Sequence, residues 1–135
     1  MSLENVAIVE QAYGALNRHD IDGFLALCGP DVEYVNPDDA TEPGVRAGHA
    51  AFGRALQSLL DSFDDYRAEP QRLVPIGSQV VAIERSSGRG RASGASFEAV
   101  HAHLFTLADG KIVRFAWFRD PTEALEAAGI EEQAN

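Results

Sequence analysis

The sequence predicts an α+β domain, with helices at the N-terminal end and a run of antiparallel strands after them. Three observations carry this. Apolar residues recur at three- and four-residue spacings over the first sixty residues. From residue 66 onward they alternate instead, and β-branched and aromatic types dominate. The two periods occupy separate halves rather than interleaving, which places the helices together on one face of the sheet.

Ser2 is a good helix N-cap, and Leu3, Val6, Val9, Ala12, Tyr13 and Leu16 form one apolar stripe ending at Asn17-Arg18-His19. Asp20 caps a second, shorter helix with Ile21, Phe24, Leu25 and Leu27 buried, stopped by Gly29-Pro30. Asp31 to Asn36 reads as a short strand. Val32, Tyr34 and Asn36 share one of its faces, and Pro37 ends it. Asp38 to Gly48 reads as a loop long enough to shape or cover a site. A third helix is expected over Ala50 to Phe63, burying Phe52, Leu56, Leu59, Leu60 and Phe63. Tyr66 to Ile76, interrupted by Pro70 and Pro75, is an edge strand or a bent one, and Gln79 to Ser87 a central one. Gly88 to Gly94 connects to a hairpin over Phe97 to Asp120. A last short helix spans Glu123 to Ala128 and stops at Gly129.

The hairpin, FEAVHAHLFTLADGKIVRFAWFRD, is the stretch with chemistry in it. A three-residue loop with a bulge at Gly110 pairs Leu107 with Lys111, His103 with Phe115, and His101 with Trp117. One face then carries Phe97, Ala99, His101, His103, Phe105, Val113, Phe115, Trp117 and Arg119. The other carries Val100, Ala102, Leu104, Thr106, Ile112, Arg114, Ala116 and Phe118. Two imidazoles, an indole and a guanidinium among phenyl rings are what a half-apolar pocket with a few directed polar groups requires.

The 135 residues suit one domain spanning the whole sequence. A net charge of −10 argues against a nucleic-acid partner and against an anionic membrane surface. No apolar run is long enough to span a bilayer, and MSLENVAIVEQAY does not read as a signal peptide. A lone Cys28 allows no internal disulfide and fits a reducing cytoplasm. It reads as a small buried hydrophobe at a helix end, not a nucleophile.

Three segments, LNRHDIDGFLAL-x-x-PDVEY, GVRAGHAAF and HAHLFTLADGKIVRF, resemble the SnoaL-like group of the NTF2-like superfamily. The resemblance covers nearly the whole chain. It implies a cone-shaped, curved antiparallel sheet wrapped around the N-terminal helices, a cystatin-like α+β barrel with a ligand pocket in its open end. It also implies a homodimer through the outer sheet face, a role that Ala102, Leu104, Ile112 and Phe118 suit. The family includes ketosteroid isomerases and polyketide cyclases. Asn36 stands where the isomerases hold their carboxylate base, and an amide cannot take a proton at neutral pH. Ala12 matches their oxyanion-binding tyrosine, with Tyr13 one step on and about 100° aside. His103 matches their protonated aspartate, and Trp117 the acid of the cyclases. Both templates lack their acid or base, and what survives is the pocket.

The expected site therefore has His103 and His101 as acid–base candidates. Tyr34, Asn36, Phe115, Trp117, Arg119 and Tyr13 are the substrate-binding set, and no cofactor or metal is required. His-x-His offers two zinc ligands, and a third would have to come from Asp38, Asp39 or His49, so the chain is not read as a metalloprotein. Arg119 and Arg85 can each clamp an anion or simply pair with an acid; with 21 acids present, pairing is favoured. Arg89 and Arg91 read as a solvated loop. The reading is a small-molecule site that moves protons on a carbonyl compound: isomerisation, cyclisation or dehydration. The alternatives are a binding module without turnover, and a dimeric interaction domain with a filled core.

Overall fold

A computed structural model describes residues 2–38, 40 and 43–134, with the side chains of residues 3–38, 40 and 43–129. Helix α1 (Ser2–Asn17) buries Val9, Ala12, Tyr13, Ala15 and Leu16. His19 takes a positive φ of 59°, and the N–H groups of His19 and Asp20 reach back to the carbonyls of Leu16 and Ala15. That is the left-handed C-terminal motif that satisfies the last carbonyls of a helix. The Asn17 side chain then exchanges two 2.8 Å hydrogen bonds with the backbone of Ala68, tying the helix end to the sheet. Helix α2 (Ile21–Ala26) starts on Asp20, whose Oδ1 accepts from the Gly23 N–H at 2.9 Å. A cap of this kind contributes about 1 kcal/mol. A Cβ at Gly23 would lie 2.3 Å from Asp20 Oδ2, so a larger residue there would push the capping side chain aside.

Strand β1 (Cys28–Asn36) begins three residues earlier than the sequence suggests, with Cys28 buried inside it. Burial pushes the Cys28 thiol up to about 12, in keeping with an inert residue. The 38–48 region is not only loop. Gly44–Ala47 form β2, which pairs antiparallel with β1. Helix α3 (Gly48–Ser62) buries Phe52, Leu56 and Leu60 as expected. The remaining strands are β3 (Phe63–Ile76), β4 (Gln79–Gly90), β5 (Ser96–Ala108) and β6 (Lys111–Phe118). Helix α4 (Pro121–Ala134) runs on through Gly129 instead of stopping there.

All six strands form one curved sheet in the order β2-β1-β6-β5-β4-β3. Two features correct the expectation. The sheet is mixed, because β1 and β6 run parallel, with Tyr34 opposite Phe115 and Val35 opposite Ala116. It is also open, since β2 and β3 lie at opposite edges, so it is a cone and not a barrel.

The hairpin register corrects a second point. The turn has two residues, Asp109 (φ 51°) and Gly110 (φ 76°), which is the left-handed pair that a tight hairpin needs. An irregularity between Thr106 and Leu107 then leaves Val113 as an extra residue, so Phe105 faces Phe115 and His103 faces Trp117. Each pair is displaced by two residues from the expected one. Two is a full pleat repeat, so the faces survive. Ile112 is the exception. Lying before the bulge, it turns into the inner core with Leu107 instead of joining the outward set.

The inner face holds the main core, closed by α1, α2 and α3. The outer face carries Val81, Ala102, Leu104 and Ala116, packed under Ala124 and Ala128 of α4. The surface expected to meet a second copy is thus covered in part by the chain's own helix, and Ala102 is fully buried. No helix among the described residues is long and apolar enough to cross a membrane.

Candidate active site

A carboxylate lies at the centre of the inner face. Val80, Ala82, Glu84 and Ser86 alternate along β4 on the side turned to the core, and Glu84 is 1 % exposed. In the ladder Glu84 stands directly opposite His101, and His103 opposite Ala82, so the acid is the cross-strand neighbour of one histidine and the diagonal neighbour of the other. Both imidazoles reach it. His103 Nδ1 lies 2.5 Å from Glu84 Oε1, and His101 Nε2 lies 3.2 Å from Oε2. Tyr13, from α1, donates its hydroxyl to the same Oε1 at 2.5 Å. His101 Nε2 is also 2.9 Å from Ser86 Oγ. Alignment favours the serine, so Oε2 has the histidine at ion-pair distance but no hydrogen bond of its own.

Burial alone would raise the Glu84 carboxyl. The His103 charge, its hydrogen bond and the close approach of His101 outweigh it and hold the group well below the usual carboxylate range. Burial, with the Glu84 charge beside it, pushes the Tyr13 hydroxyl well above its ordinary value. Tyr66, buried on β3, is raised by the same two causes in the same order. Glu84 is thus an anion and Tyr13 a neutral donor across the ordinary pH range.

The other expected residues gather around this centre. Phe115 stacks on the His103 ring at 4.2 Å between centroids and 18° between planes. The Trp117 indole N–H donates to His101 Nδ1. The Arg119 guanidinium lies over the Trp117 ring, 5.1 Å from its centroid. Tyr34 sits between Phe52 and Phe115 at 5.2 and 5.3 Å, a wall of the aromatic interior more than a rim residue. Asn36, the next inward residue of β1 after Tyr34, is half-buried at the strand's end. Tyr13 does reach the site despite its offset from the isomerase position, but its hydroxyl is committed to Glu84. Arg85 pairs with Glu98 at 3.3 Å, and Arg91 with Asp64 at 3.0 Å.

Glu84, the hub, is the residue that sequence reasoning missed. Its signal was an acid on the apolar face of a central strand, between Ala82 and Ser86. Among the described residues, neither Asp38 nor His49 joins the two histidines. His49 Nε2 sits 3.0 Å from the Gly29 carbonyl, and Asp39 falls outside the described residues. Glu84, His101 and His103 do place donor atoms within 4.8 Å of one another. A metal-bound histidine donates its second N–H to an acceptor, however, and the group facing His101 Nδ1 is another donor. The cluster is built for hydrogen bonds.

Below the cluster, Phe24, Tyr34, Phe52, Phe105 and Phe115 touch one another and fill the cone. Two surface clefts of about 620 and 690 Å³ lie elsewhere, one between α1 and α2, the other beside the turns at Gly77-Ser78 and Asp109-Gly110. His101, Trp117 and Asn36 are each partly exposed, whereas His103 is buried.

A family model described as a SnoaL-like domain matches residues 9–115. Among solved structures, an NTF2-like protein from Burkholderia thailandensis E264 is 29 % identical, with 91 % of this chain and 95 % of that one covered and a TM-score of 0.78. A putative SnoaL-like polyketide cyclase from Jannaschia sp. CCS1 is 18 % identical over 94 % of this chain and 92 % of its own, with a TM-score of 0.79. TerC, crystallised with polyporic acid, is 24 % identical over 93 % and 98 %, with a TM-score of 0.77. No curated protein matches significantly.

Proposed function

The chain belongs to the SnoaL-like domain family, and from that premise we propose that it binds a compact or polycyclic carbonyl compound beside His103 and moves a proton on it without a cofactor. The observation that carries this is the 2.5 Å contact between Glu84 Oε1 and His103 Nδ1. A buried carboxylate that holds the Nδ1 proton fixes the ring's orientation and tautomer, and makes its other nitrogen the base. This is how a histidine serves in proton transfer when the acid cannot itself reach the substrate. Trp117 and Phe115 supply the apolar wall, and Asn36 a donor for a carbonyl oxygen. The small molecule held by TerC is in keeping with a ligand in this fold. The reaction class is isomerisation, cyclisation or dehydration.

The test has two stages. A thermal-shift screen against carbonyl compounds, steroids and polyketide-like aromatics identifies a ligand; at 100 times its dissociation constant it stabilises by about 2.7 kcal/mol. His103→Gln, which retains a donor toward Glu84, then lowers turnover of that compound by roughly 10²–10⁴-fold while the fold persists. Turnover equal to wild type would overturn the mechanism.

A second reading is a binding module without turnover. Its support is that two of the cluster's groups are already committed to partners within it, Tyr13 to Glu84 and Trp117 to His101, with the aromatic interior already packed. A ligand that binds tightly and returns unchanged would favour it. The proposal includes a homodimer across the part of the outer face that α4 leaves open, around the half-exposed Val100. Sedimentation equilibrium at micromolar concentration decides this, with a monomer mass excluding it.

A further inference from the structure

The two histidines are not equivalent, and the difference comes from an indole. This inference rests on the reading of His103 as the base and assigns the role of its neighbour. An indole N–H can only donate. The nitrogen it meets must present a lone pair, so His101 Nδ1 carries no proton while Trp117 is bonded to it. The His101 proton is then on Nε2. That nitrogen faces two oxygens, Ser86 Oγ at 2.9 Å and Glu84 Oε2 at 3.2 Å. Both ends of the ring therefore call for the same tautomer. The alternative would set N–H against N–H at one end and a lone pair against a carboxylate at the other. The imidazolium would still oppose the indole donor.

We infer that Trp117 is a positioning residue, whose N–H fixes His101 as the Nε2–H tautomer and leaves His103 as the one imidazole of the pair able to take a substrate proton. The groups that face His101 are Glu84 and Ser86 from β4, His103 from β5 and Trp117 from β6, with the Arg119 guanidinium over the Trp117 ring. Tyr13 and Tyr66 face Glu84, the first through a hydrogen bond and the second through its charge. His103 is fixed the other way: its Nδ1 meets a carboxylate oxygen that holds the proton there, and its ring face meets Phe115. The same lock works against a metal ion at the donor set of two histidines and one carboxylate. A cation on His101 Nε2 requires a proton on Nδ1 and an acceptor beyond it.

The test is long-range ¹H–¹⁵N NMR of the histidine rings, which reads the protonated nitrogen directly. In the wild type at pH 6, His101 is expected to carry its proton on Nε2 alone. In W117F the opposing donor is gone, and a His101 tautomer with its proton on Nδ1 is expected to appear beside the Nε2–H form. A wild-type His101 protonated on Nδ1, or a W117F His101 that keeps its proton on Nε2 alone, would overturn the inference. The wild-type spectrum needs no variant, so a W117F that fails to fold does not protect the idea. A locked His101 in a protein with no His103-dependent turnover would sink the base role and leave the lock standing. An unlocked His101 with intact turnover would do the reverse.

Discussion

Glu84→Ala is expected to lower the unfolding free energy at pH 7 by roughly 3–5 kcal/mol, a fall in Tm on the order of 10–20 °C for a domain of this size. The reason is what it leaves behind. Glu84 is 1 % exposed, and its Oε1 is the acceptor for both the Tyr13 hydroxyl and the His103 Nδ1–H. Without it, two buried donors lose their partner and a space opens between α1 and the sheet. Glu84→Gln keeps the shape and one acceptor oxygen, so its loss should be smaller. The acid limb gives an independent check. The Glu84 carboxyl in the folded protein is held well below its unfolded value of about 4.3. Its contribution is therefore present in full above that pH and is lost as pH falls from there through the folded value. Urea melts of wild type and Glu84→Ala should differ most at neutral pH and draw together as pH falls below about 4. A difference below about 1 kcal/mol at pH 7, or one that does not shrink with acid, would show that the network does not hold this site together.

Phe52→Ala should be about as costly, roughly 3–5 kcal/mol. Phe52 has no exposed surface, lies 5.5 Å from Phe24 and 5.2 Å from Tyr34, and stacks on Phe115 at 5.6 Å. Phe115 in turn carries the His103 ring, so this loss reaches the site from below, whereas that of Glu84 reaches it from the side. The check is equilibrium denaturation with an unchanged m-value. A cost under about 1.5 kcal/mol would mean that the aromatic interior relaxes easily around a missing ring, which is the behaviour of a ligand cavity rather than a filled core.

Much of this architecture is written locally and could be read there. The Asp20 cap, the His19 helix end and the Asp109-Gly110 turn are short-range signals, and each acts where the sequence places it. The hairpin faces were legible even with the loop length misjudged, because a turn one residue shorter and a one-residue bulge displaced the pairing by an even number. Ile112 marks the limit of that luck. Strand β2 was not legible: four residues, GVRA, show no usable alternation and owe their shape to β1. Nor was the parallel pairing of β1 with β6, since nothing in either strand's own pattern names a partner so distant in sequence. In the site, the histidines, Phe115 and Trp117 stand out as unusual residues on an apolar strand face. Glu84 obeys the same alternation, but sits in a segment, AIERSS, that reads as charged and turn-bound. Its role depends on a tyrosine 71 positions earlier and a histidine 19 positions later, and such a meeting is made by the fold alone.

The β1–β6 pairing also has a consequence for how the protein is made. A ribosome delivers α1, α2 and β1 first, yet β1's inner-sheet neighbour lies at 111–118. Until that segment emerges, β1 has only the four residues of β2 on one side, and its other edge stands open. Loop-closure entropy must be met over some eighty residues before the sheet can be completed, so completion is a late and slow event in biosynthesis. During that interval Val32 and Tyr34 are uncovered on an unpaired edge, a stretch for a chaperone to hold.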